Sequence, residues 1–181
     1  GSSFRESATL RCRFGNVHAT AMARLVSAEQ LECASPVSSG VGVRAIEVSF
    51  NGQQYSSSGV EYTYRVAAAV SSTWPSLGAL EGGTPVTVLG SGFSSAAEAL
   101  GELWCRFNSS VSRAEYVSES MAVCNTTQSV AGLVSVELST NGRDFSSGVA
   151  QYEFVSVSVD SLTPWSGPVL GGTVVTVGGS G

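Results

Sequence analysis

Four cysteines are the residues of this chain whose type and spacing could do chemistry. They fall as Cys12 with Cys33 and Cys105 with Cys124. Three chemistries use such thiols: zinc binding, buried reduced sulfur and disulfide formation. A structural zinc site wants a close Cys-x-x-Cys pair or nearby histidines, and the only histidine is His18. A disulfide closing a loop of about 20 residues contributes about 3 kcal/mol in the chain-entropy model, and it implies an oxidising compartment.

The other reactive side chains do not assemble into a site. A Ser-His-Asp triad would depend on His18, and a glycosidase-type carboxylate pair finds only scattered Glu residues. Calcium wants converging carboxylates, but the Asp residues are only Asp144 and Asp160. Gly82-Gly83 and Gly90-Ser91-Gly92 bracket a strand-like run instead of opening a helix, so a phosphate cradle does not fit. No catalytic residue, metal or cofactor is expected.

Charge narrows the partners. Over 181 residues the net charge is −5, and all nine cations are Arg. Arg11 and Arg13, with Arg5 nearby, are too thin a stripe for phosphate binding, so no nucleic acid is expected. Charged residues are 13% of the chain, about half the ~25% of ordinary globular proteins. No apolar run approaches the ~18 to 20 residues of a membrane span; any membrane association is expected through regions outside this chain.

The elements that must position the cysteines repeat. Gly1-Ser2-Ser3-Phe4 echoes Gly90-Ser91-Gly92-Phe93, Cys12-Arg13-Phe14 echoes Cys105-Arg106-Phe107, and Cys33 echoes Cys124. Ile46 to Gly52 echoes Val136 to Gly142, and Tyr55 to Val60 echoes Phe145 to Val149 with one residue deleted. Gly82 to Val88 recurs as Gly171 to Val177, and Trp74-Pro75 is answered by Pro164-Trp165. The expected organisation is the back part of one unit (1–68), a whole unit (69–155) and the front of a third (156–181), as if taken from a longer array. A self-contained unit should pair its cysteines internally, which selects Cys12–Cys33 and Cys105–Cys124.

Within the whole unit, short runs bounded by Gly, Ser, Asn or Pro read as strands: 86–89, 103–107, 121–124, 133–139 and 149–155. Residues 133–139 alternate apolar and polar, as a half-buried strand does. Asn51-Gly52 and Asn141-Gly142 predict tight hairpin turns, and 94–103 offers the one short helix or bulging loop. Many short strands in about 90 residues point to an all-β sandwich.

These residues resemble a known family. Pro75, Gly78, Gly82 to Val88, Gly90 to Phe93, Cys105-Arg106-Phe107, Cys124 and Asn141-Gly142 with Phe145 are similar, in order, to the IPT/TIG immunoglobulin-like domains of plexins, Met-type receptors and fibrocystin-like surface proteins. The resemblance implies tandem immunoglobulin-like β-sandwiches, each with a bridge between its first and second Cys. The residues after the second Cys, Ala34-Ser35-Pro36 and Asn125-Thr126-Thr127, depart from the usual Thr-Pro-like pair.

Two sequons, Asn108-Ser109-Ser110 and Asn125-Thr126-Thr127, flank the cysteine region, and N-glycans are expected, clustered at one end of the domain. The joins around Ala67 to Val70 and Val155 to Val159 are short and apolar, unlike a flexible linker. Trp74 and Trp165 follow them, either packing against the preceding domain or plugging their own sandwich. The function expected is non-enzymatic: a structural or adhesive segment of a large extracellular or cell-surface, even ciliary-surface, glycoprotein. Its partners would be proteins, through self-assembly into a fibre or a protein ligand. A plexin-like ligand-binding ectodomain and a spacer in a carbohydrate-active enzyme are the alternatives.

Overall fold

The computed structural model describes residues 3–16, 18–147 and 149–181; the repeat matches at Gly1, Ser2 and Gly148 lie outside them. Two units separate, Gly1–Val66 and Ala67–Gly181. The first unit contains β1 (Arg11–Phe14), β2 (Thr20–Ser27), β3 (Gln30–Cys33), β4 (Gly42–Ser49) and β5 (Glu61–Tyr64). They form an antiparallel sheet in the order β3-β2-β1-β4-β5.

The second unit runs β6 (Ala69–Trp74), β7 (Leu77–Ala79), β8 (Pro85–Ser91), α1 (Ser95–Ala99), β9 (Trp104–Phe107), β10 (Ser110–Ser118), β11 (Met121–Asn125), β12 (Gly132–Ser139) and β13 (Gln151–Val155). Its strand order is β6-β8-β11-β10-β9-β12-β13-β7. Strand β10 makes this order a sandwich. Ser110 to Arg113 pair with β9, while Ala114 to Ser118 pair with β11. The strand therefore leaves a back sheet (β10-β9-β12-β13-β7) to join a front sheet (β6-β8-β11-β10). At the opposite edge β6 pairs with β8 and β7 runs parallel to β13. Thr73 ties the layers there, its hydroxyl donating to the Gln151 carbonyl at 3.0 Å.

The inward positions alternate with a period of two. Val86, Val88, Cys105, Phe107, Leu138 and Phe154 face one another, each no more than 3% exposed. Full burial of a large side chain contributes about 1.5–3 kcal/mol, so this core is the unit's main source of stability. The short helix α1 caps one end. Ser94 is its N-cap and accepts the Ala97 N–H, and Ala97 is its buried residue. The five strands read from the sequence are present, with β12 beginning at Gly132 and β13 at Gln151.

The Asn-Gly pairs do not make two-residue hairpins. Asn141 Oδ1 accepts the Arg143 and Asp144 N–H groups at 3.0 and 2.8 Å, and the buried Ser139 hydroxyl donates to the same oxygen. Gly142 takes φ +69°, a left-handed conformation that L side chains resist. The chain then crosses Phe145 before reaching β13. Asn51 and Ser49 repeat the arrangement. The side chain of Asn closes the turn in place of a backbone hairpin.

A last hairpin, β14 (Ser158–Thr163) and β15 (Thr176–Ser180), copies β6 and β8. Their pairs, including an irregularity at Val159/Ser161 that matches Val70/Ser72, recur at one constant offset. That register sets Thr163 at the place of Trp74, so Trp165 corresponds to Ser76. The two tryptophans are not equivalent, although side-chain matching alone pairs them.

Candidate functional site

Cys105 lies on β9 in the back sheet and Cys124 on β11 in the front sheet, and their disulfide crosses the sandwich with Cα atoms 6.2 Å apart. Ala114, 7% exposed, sits opposite Cys124 in register. A small side chain there leaves room for the bridge. In the first unit Cys12 and Cys33 are bonded with Cα atoms 6.3 Å apart, and Ala23 stands opposite Cys33. No free cysteine occurs among the described residues. The chemistry of these thiols is covalent stapling.

A second repeated constellation escaped sequence reading. Arg106 on β9 and Glu137 on β12 are register partners; the Arg106 Nε donates to Glu137 Oε2 at 2.5 Å. The guanidinium also lies 4.2 Å from the centre of the Phe145 ring. Arg13 does the same with Glu47 at 2.7 Å and with the Tyr55 ring at 4.0 Å. Each Arg thus fastens the long loop after β12 or β4 onto its sheet by an ion pair and a cation–π contact. The signal was present as Cys-Arg-Phe, the Glu of β12 or β4 and the loop aromatic, but each residue alone reads as ordinary surface.

The sequons lie where the strands stop. Asn108 is exposed at the β9–β10 turn with φ 55°, and Asn125 is the exposed last residue of β11. Since β9 and β11 both run antiparallel to β10, the two sequons share one end of the sandwich. Thr127 is exposed, whereas Thr126 is 4% exposed and its hydroxyl accepts the Thr84 N–H at 3.1 Å.

Trp74 is 73% exposed and Trp165 92%; Trp74 therefore does not plug the sandwich of the second unit. His18 is exposed in the β1–β2 turn. Among the described residues no group of three or more His, Cys, Asp or Glu side chains could hold a metal, and no helix is long and apolar enough to cross a membrane. Burial, with a smaller push from Tyr62 and a small opposing pull from Arg44, raises Tyr64 above the ordinary tyrosine value. Its hydroxyl donates to the Pro36 carbonyl at 2.9 Å.

Residues 68–154 match the model of the IPT/TIG domain. Plexin-A3 of Homo sapiens is 31% identical over 112 residues, covering 59% of this chain and 6% of that protein. The solved full extracellular region of plexin A4 superposes with a TM-score of 0.52 at 19% identity, covering 91% of this chain and 14% of that one. The latter likeness is one of fold.

Proposed function

Residues 68–154 belong to the IPT/TIG domain family, and from that premise we propose that the chain is a non-catalytic structural or adhesive segment of a large extracellular or cell-surface glycoprotein built of repeated IPT domains. The observation that carries the reading is the recurrence, copy after copy, of backbone register. Disulfide, β10-type sheet switch and Arg–Glu–aromatic clamp recur between the first two units, and the β6–β8 irregularity recurs in β14–β15. Such units act as rigid beads that present surface, and their partners are proteins: neighbouring copies in a fibre, or a protein ligand.

Two measurements test this. Intact mass of the natively processed protein, with and without reduction and deglycosylation, should gain the hydrogens of two reduced disulfides and lose sugar. Four free thiols without sugar would sink the extracellular reading. The full-length coding sequence should carry many further copies of the repeat; a single unit beside a catalytic domain would sink the array.

A further inference from the structure

We propose that the outer face of the front sheet in the second unit is the seat of an N-glycan on Asn125, with Trp74 as the aromatic platform for its inner sugars. The proposal rests on the extracellular reading above. Register assembles the face: Trp74 opposes Thr87, Thr87 opposes Val123, and Val123 opposes Glu115. The next row holds Ser72, Leu89 and Met121. Thr73 points inward to Gln151, so its neighbour Trp74 points out. Glu115 is the single charged side chain in these rows.

Asn125 ends β11 on the same face, one alternation beyond Val123. Strand spacing of about 4.8 Å and about 6.8 Å per two residues put its Cα about 12 Å from that of Trp74, within reach of the inner sugars of an N-linked chain. The attachment point is held firmly. The buried Thr126 hydroxyl anchors the middle of the sequon to Thr84, while Asn125 and Thr127 stay exposed.

The sister copies supply the control. In the first unit Arg24 opposes Glu32 where Glu115 opposes Val123, and Gln30 replaces Met121. Arg24 and Glu32 form an ion pair, and Ala34-Ser35-Pro36 replaces the sequon. In β14–β15, Thr163 stands for Trp74 and Gly178 for Leu89. The fold therefore does not require an apolar outer face; between the first two units it occurs where the sequon occurs. Trp74 is exposed while Val123, Leu89 and Met121 are half-buried; a partly exposed apolar face on a secreted domain calls for a cover, and the C–H face of a pyranose stacks on an indole as an apolar surface does.

The test uses the full chain expressed through a secretory pathway, with Asn125 occupancy read by peptide mass spectrometry. Thr127→Ala removes the sequon without touching Thr126. Glycosylation is expected to raise the melting midpoint of the second unit by about 3–5 °C, by less than half as much in Trp74→Ala, and by an intermediate amount in Trp74→Phe. Trp74 is exposed, so these variants keep the fold. An equal gain with and without Trp74 overturns the proposal, as does an unoccupied Asn125 in a secreted, disulfide-bonded chain; both leave the extracellular reading standing. A reduced, sugar-free mature chain overturns both.

Discussion

The two units carry the same machinery at different depths. Phe14, Tyr62 and Tyr64 stack edge to face in the first unit, with centroid distances of 5.4 and 5.0 Å between successive rings. Phe107, Tyr152 and Phe154 stack alike in the second, at 5.5 and 5.0 Å. Yet Tyr62 is 37% exposed and Tyr152 is 0% exposed. The difference is β6, β7 and β8, which have no counterpart among the described residues of the first unit. In the second unit β7 lays Gly78 against the Tyr152 ring so closely that a Cβ there would sit 2.0 Å from the hydroxyl oxygen. Register, staple and clamp recur in both units, and in the second unit β7 covers the aromatic stack.

The largest test of that contrast is Leu138→Ala, which should cost about 2–5 kcal/mol because it opens a cavity in a closed core. Val48→Ala occupies the matching place opposite Cys12, where the side chain is only partly buried; it should cost less than about half as much. Hydrogen exchange at β9 and β1 amides of the full chain reads both, and equal costs would break the contrast. Double Cys→Ala replacement comes next. The closed loops span 21 and 19 residues, so loop entropy predicts about 3 kcal/mol in either unit. Denaturant unfolding that shows a gap above about 1 kcal/mol between them would assign the bridge's worth to packing instead.

Smaller and again equal effects are expected of Arg106→Lys and Arg13→Lys. Each keeps the charge but loses the planar fork and ring contact, at about 1 kcal/mol. The loss should appear as faster exchange in the loop after β12 or β4, and an unchanged loop would remove the clamp from the account. The smallest effect is alkaline. The raised pKa of Tyr64 favours its neutral form in the fold, so its contribution is whole below the unfolded tyrosine value and is lost as pH rises through the folded one. The register-equivalent Phe154 has no hydroxyl to ionise. Tyr64→Phe should therefore abolish an alkaline loss confined to the first unit; persistence of that loss in the variant, measured by pH-jump unfolding, would assign it elsewhere.

Strands with large inward residues were legible in the sequence, as were the cysteine pairs. Strand β10 was not, because its inward places hold Ser110, Ser112, Ala114 and Tyr116, and small residues beside the bridge blur the apolar period. Strands β6 and β14 hid for a similar reason, in the Ser-rich runs 69–74 and 158–163. Matching by the bulkiest residue paired Trp74 with Trp165; hydrogen-bond register corrected it by two positions. Asn141 was legible as a turn residue, but its side chain's grip on two N–H groups is set only in the folded loop.

The amino-acid order alone determined the repeat, the sandwich class, the choice of cysteine partners and the sequons, because these follow from local spacing and from comparison of one copy with another. Only the tertiary structure decided that β10 changes sheets, that Arg106 meets Glu137 and Phe145, and that Trp74 shares a face with Asn125. Those relations join residues far apart in the chain, and the strand register that brings them together is settled by packing over the whole core.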